Sequence, residues 1–71
     1  MVLDKKNENP IGYFYNALTK KEKGRFLLWA QILTSFSQAT VITRIRDNGW
    51  RPLERRAIER GIAMDEWKEL R

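Results

Sequence analysis

Seven of the eight residues from 26 to 33 are apolar (Phe26, Leu27, Leu28, Trp29, Ala30, Ile32 and Leu33), and only Gln31 interrupts them. Just upstream stands Thr19-Lys20-Lys21-Glu22. This is a capping-box pattern, in which a threonine hydroxyl and a glutamate carboxylate reciprocally satisfy free backbone N–H groups at a helix start. The two features predict a helix that begins at Lys20 and is apolar almost all round in its second half. Such a helix needs cover on more than one side. Its main stripe is Phe26, Trp29, Ala30 and Leu33, with Lys20, Gly24 and Gln31 opposite. Leu28 and Ile32 fall outside that stripe. They are the candidate contacts of a homodimer, since two-fold pairing is the commonest form of self-association.

Shorter helices are expected on both sides. Asn9-Pro10 offers a cap followed by a proline at the first helical position, and Ile11, Phe14, Tyr15 and Leu18 then recur at helical spacing. After residue 33, Thr34-Ser35-Phe36-Ser37 breaks the pattern, because serine and threonine compete for backbone hydrogen bonds and favour turns and caps. Ser37 caps a helix over residues 38–47, with Val41 and Ile45 inward, Ile42 beside them, and Ala39, Thr40, Thr43, Arg44 and Asp47 outward. Asn48-Gly49 ends it, since both residues tolerate the left-handed conformation. Pro52 opens a further helix with Leu53, Ala57, Ile58, Gly61 and Ile62 inward and Arg55, Arg56, Glu59 and Arg60 outward. Beyond Met64, Asp65 can cap a short terminal helix that packs Trp67 and Leu70 back.

A hairpin competes for part of this stretch. Thr40, Val41, Ile42, Thr43 and Ile45 are β-branched, and Asn48-Gly49 is also a hairpin turn signal. The returning strand, residues 50–53, would contain Pro52, which has no N–H for the ladder. The fold class expected is all-α: a small bundle of three to four short helices with a helix-turn-helix arrangement over about residues 18–62, preceded by a flexible arm over residues 1–9. Residues 10–71 form one domain.

Composition narrows the function classes. With 71 residues, 42% of them hydrophobic and 32% charged, the chain is an ordinary small globular domain. It has neither histidine nor cysteine, which removes imidazole bases, thiol nucleophiles, disulfides and nearly every transition-metal site. Gly12, Gly24, Gly49 and Gly61 are scattered singly, so no phosphate-cradling loop is present. An enzyme, a cofactor, a metal and a small-molecule substrate are therefore not expected. No apolar run approaches the roughly 20 residues of a membrane span. Nor does Met1-Val2-Leu3-Asp4-Lys5-Lys6 contain the apolar stretch of a signal peptide, so a cytoplasmic location is expected.

Charge points to the partner. The net charge is +5, and residues 20–60 hold ten basic against four acidic side chains. A field of this sign attracts polyanions. Two helices joined by a short polar turn, the second serine-capped and exposing small polar residues, form an arrangement that can enter a DNA major groove about 12 Å wide. On that second helix Gln38, Ala39, Thr40, Thr43 and Arg44 are the candidate base contacts: Gln pairs with adenine, Arg with guanine, and Ala or Thr methyls meet thymine. Lys20, Lys21, Arg46, Arg51, Arg55 and Arg56 are the candidate phosphate contacts. Tyr13, Phe14 and Tyr15 are read first as packing, with base stacking as the other option.

The run Ser37-Gln38-Ala39-Thr40-Val41-Ile42-Thr43-Arg44-Ile45-Arg46 resembles the second helix of lambda-repressor-like helix-turn-helix proteins, which often read Ser-x-Ser-Thr-Val at that helix start. Leu18-Thr19-Lys20-Lys21-Glu22 resembles the opening of the preceding helix, and Trp50-Arg51-Pro52-Leu53-Glu54 the proline-containing lead into the next. The first helix of the motif is longer and more apolar than in that family, and the upstream helix is reduced. The resemblance implies a sequence-specific regulator of double-stranded DNA that reads the major groove with residues 38–47. The alternative is a small protein-protein interaction module, homodimeric through Leu28 and Ile32, without DNA binding.

Overall fold

In a computed structural model the protein is described from residue 9 to residue 70, so the arm expected over residues 1–9 lies, apart from Asn9, outside the described residues. The molecule is a small all-α bundle of four helices: α1 (Pro10–Asn16), α2 (Lys20–Thr34), α3 (Gln38–Asp47) and α4 (Pro52–Met64), followed by a 3-10 turn, Glu66–Glu69. There is no strand among the described residues, and no single helix is long and apolar enough to cross a membrane.

Each helix begins on a local device. The Asn9 carboxamide accepts the Gly12 N–H, and Pro10 takes the first position of α1. At α2 the Glu22 N–H donates to Thr19 Oγ1 at 3.2 Å while the Thr19 N–H donates to Glu22 Oε1 at 3.0 Å. The Thr19 backbone N–H is the main reason that the Glu22 carboxyl is held below its ordinary value of 4.5. Ser37 caps α3 by accepting the Thr40 N–H at 3.2 Å. Pro52 opens α4, where the Arg51 N–H donates to Glu54 Oε1 at 3.3 Å.

Three helices end alike, on Ser35 (φ 63), Asn48 (φ 53) and Asp65 (φ 58), all left-handed and none a glycine. The Asn48 corner decides against the hairpin: with Ser37 capping one end and a left-handed residue closing the other, the β-branched run stays helical in α3. Asp65 was expected to cap a terminal helix with its side chain; it makes no such bond and acts through its backbone, terminating α4.

The core gathers on Phe26. Phe14 and Trp67 meet its ring edge-on at centroid distances of 5.6 and 5.9 Å, Trp29 lies at 5.5 Å and Tyr15 at 5.9 Å. Burial pushes the Tyr15 phenol above its ordinary value. Ile11, Leu27, Ala30, Val41, Ile45, Trp50 and Ile58 complete the core, and Trp67, carried on the 3-10 turn, is fully buried. Packing is therefore what occupies Phe14 and Tyr15, while Tyr13 remains exposed.

Two residues assigned inward from the pattern lie outside. Leu53 is 79% exposed, because it stands five positions before Ile58, about 140° round the helix from the residue that centres the buried face of α4. Leu33 is 45% exposed, because α4 covers only one flank of the last turn of α2. Those two residues, with Thr34, Glu54 and Ala57, line a shallow groove between α2 and α4. One turn away the Trp29 indole lies against Gly61, so the two helices run antiparallel.

Candidate nucleic-acid interface

The α2–α3 junction is built from three residues that turn the chain through 101°. The Ser35 N–H closes the last turn of α2 on Gln31 O at 2.7 Å, and the Thr34 hydroxyl donates to Ala30 O at 2.6 Å while accepting the Phe36 N–H at 3.3 Å. These local bonds close the end of α2 and lead the chain into α3. Val41 and Ile45, both buried, hold the inner side of α3 on the core. At its far end the Asn9 carboxamide N–H group donates to Ile45 O and Arg46 O, tying the start of α1 to the C-terminus of α3.

This leaves an outer face on α3 made of Gln38, Ala39, Thr43, Arg46 and Asp47, all exposed and none aromatic. The Thr43 hydroxyl donates to Ala39 O at 3.0 Å, so its proton is already engaged within the helix. Thr40 is half-buried, its hydroxyl 2.9 Å from Ser37 Oγ at the helix cap.

Arg44 is placed differently from its neighbours. Its guanidinium donates to Gly49 O at 2.7 Å, stands 3.6 Å from Glu54 Oε1 and lies over the Phe36 ring at 4.8 Å. Phe36 in turn stacks on the buried Trp50 at 6.4 Å. Arg44 therefore joins α3, the inter-helix turn and α4, its guanidinium held by these partners and not free on the outer face. Phe36 and Trp50 were not read as part of this arrangement; the signal is an aromatic within the turn and another just after Asn48-Gly49, both close in sequence to an arginine.

The basic side chains are dispersed. Lys20 and Lys21 sit exposed on the first turn of α2, Arg51 at the cap of α4, Arg56 on its solvent side and Arg46 on the outer face of α3. None of these five makes an ion pair among the described residues, whereas Arg55 pairs with Glu59 at 3.2 Å. Arg46 also borders an open pocket of ≈ 300 Å³ between α1 and α3, which Tyr13, Asn16 and Ile42 line with it.

The chain matches no protein-family model, no curated protein and no solved structure. Its function is read from its own residues.

Proposed function

We propose that the protein is a sequence-specific DNA-binding regulator of helix-turn-helix type, reading the major groove with the outer face of α3. One observation carries the reading. A three-residue turn sets α2 and α3 at 101°, within the roughly 90–120° of helix-turn-helix units, and the face of α3 it turns outward, Gln38, Ala39, Thr43, Arg46 and Asp47, carries no aromatic. A helix so lined fits a groove about 12 Å wide without an aromatic to obstruct it.

In this reading Gln38, Ala39 and Thr43 contact base edges directly: Gln38 by paired hydrogen bonds to adenine, Ala39 and the Thr43 methyl against thymine methyls. Thr40 supports the helix start and contributes only its edge. Arg44 keeps α3 and α4 in register in the free protein and changes partners, from Glu54 to guanine, when a duplex arrives. Lys20, Lys21, Arg46, Arg51 and Arg56 supply phosphate contacts, with Arg55 joining them once it leaves Glu59.

The test is a fluorescence-anisotropy titration with a random-sequence duplex at low salt, followed by selection of tight binders and a residue-by-residue amide titration with the selected site. Affinity that falls steeply with salt, and shifts centred on residues 38–46, support the reading. No duplex binding at low salt refutes it.

A further inference from the structure

The walls of the open pocket between α1 and α3 are fastened to each other by one side chain that lines it, Asn9. Its carboxamide accepts the Gly12 N–H of α1 and donates to Ile45 O and Arg46 O of α3. The crossing is close: a Cβ on Gly12 would run into that carboxamide and come within 3.3 Å of Ile45 O. The cavity is therefore set by the fold before anything enters it, so a ligand does not bear the cost of ordering its site.

The lining is chemically mixed. Ile42, Tyr13 and Tyr15 bring apolar and ring surface, the two phenols and the Asn16 carboxamide bring hydrogen-bonding groups, and Arg46 brings a positive charge. The Asn9 carboxamide is committed to the walls, whereas the Tyr13, Tyr15 and Asn16 side chains make no hydrogen bond among the described residues. No carboxylate lines the pocket, α1 carries no charged residue, and Arg46 makes no ion pair among the described residues. From α2, Lys23 Nζ stands 5.4 Å from the centre of the Tyr15 ring and adds to the positive field without being part of the wall. The neighbouring acids stand outside the wall too. Asp47 is exposed on α3, Glu22 accepts the Thr19 N–H, Asp65, Glu66 and Glu69 belong to the turn that packs on α2 and α4, and Glu8 lies outside the described residues.

We propose that this pocket binds a small planar organic anion, an aromatic ring system bearing one carboxylate, with the rings against Tyr13 and Ile42 and the carboxylate on Arg46. Size sets the ring system, since ≈ 300 Å³ is at the lower end of ligand pockets and holds about one or two rings. Charge sets the acid group. The single guanidinium on the wall matches one carboxylate through two parallel hydrogen bonds, whereas a phosphate dianion would keep half its charge uncompensated. The phenols and the Asn16 carboxamide are left to receive a polar substituent on the rings.

The inference holds whether or not α3 reads DNA. Arg46 serves one anion at a time, so the test is made without nucleic acid. The probe is 2-naphthoate, titrated into the full chain and followed by amide shifts, beside 2-naphthamide, which has the same rings and no charge, and inorganic phosphate, which has charge and no ring. Saturable shifts with 2-naphthoate are expected at Gly12, Tyr13, Asn16, Ile42 and Arg46, with Leu33, Leu53 and Ala57 unmoved. The amide should bind about tenfold more weakly or worse, and phosphate should give no saturable shift. Arg46→Gln, at an exposed position, should bring 2-naphthoate down to the level of the amide with the helical circular dichroism unchanged. Tyr13→Ala, on a side chain 66% exposed, should weaken binding about threefold or more, again without loss of helix. The proposal is overturned if the amide binds as tightly as the carboxylate, if Arg46→Gln binds like wild type, or if phosphate alone saturates the same residues. It is equally overturned if no saturable shift appears at these positions by about 5 mM 2-naphthoate.

Discussion

The Trp29 indole packs the Cζ2–Cη2 edge of its ring against the backbone of Gly61, so close that a Cβ at position 61 would overlap those two atoms. Trp29 is itself buried, 5.5 Å from Phe26, and has no free side to retreat to. Gly61 is thus needed for its missing side chain and not for its backbone, which is ordinary helix. Gly61→Ala is expected to cost about 1–3 kcal/mol despite the better helix propensity of alanine. At about 4–8 °C per kcal/mol for a domain of this size, the melting temperature measured by circular dichroism should fall visibly. A rise would mean that Trp29 repacks freely. Gly24, where a Cβ meets nothing, is the internal control: Gly24→Ala should stabilise by about 0.5–1 kcal/mol.

The capping box of α2 makes stability depend on pH in a defined direction. Glu22 has a lowered native pKa, so what its charged form contributes is fully present above its ordinary value of 4.5 and is lost as pH falls through the lower native value. Thr19→Ala removes the hydroxyl acceptor for about 1 kcal/mol, and Glu22→Gln should flatten the acid limb of a melting-temperature profile. An identical acid limb in wild type and Glu22→Gln would show that other carboxylates set it.

Asn9 bonds both to its own helix, through Gly12, and to the end of α3, through Ile45 and Arg46. Asn9→Ser keeps the cap but loses the reach to α3; Asn9→Ala loses both. The expected order of stability is wild type, then Ser, then Ala, each step about 1 kcal/mol. Native-state hydrogen exchange should quicken in α1 and in the last turn of α3 for both variants.

For the α3 surface, Gln38→Ala is expected to lose about 1–3 kcal/mol of discrimination at one base pair, whereas Arg56→Ala should weaken all duplexes alike and reduce the salt slope by about 1. Arg44→Ala carries two effects, because Arg44 also ties α3 to Glu54. A double-mutant cycle with Glu54→Gln in the absence of DNA isolates the structural part, expected at about 0.2–1 kcal/mol for a partly exposed pair. Zero coupling together with lost specificity would assign Arg44 to the duplex alone.

What could be read from the sequence was what neighbours in sequence decide. Thr19 with Glu22, Ser37, Pro10, Pro52 and Asn48 each act within a few residues, and the four helices follow from them. The inner side of α3 was legible for the same reason, since Val41 and Ile45 are one turn apart on a helix with a polar remainder. Leu53 and Leu33 were misplaced because burial there depends on where a second helix stops, which hydropathy along one helix does not record. Arg44 read as an outward side chain because Phe36, Gly49 and Glu54 converge on it only after two turns of the chain have been made. The tie from Asn9 to α3 spans 36 positions and left no local trace beyond a good cap.

Ser35, Asn48 and Asp65 place the same left-handed corner after three successive helices, using three different side chains. Asparagine and aspartate tolerate that corner better than other non-glycine residues; serine does not share the advantage. The fold therefore holds unspent thermal headroom at its corners, the largest share at Ser35, where a glycine would relieve the strained backbone. A more heat-resistant version of this domain is accordingly one substitution away at a position whose hydroxyl is exposed to water, leaving the outer side of α3 and the α1–α3 pocket as they are.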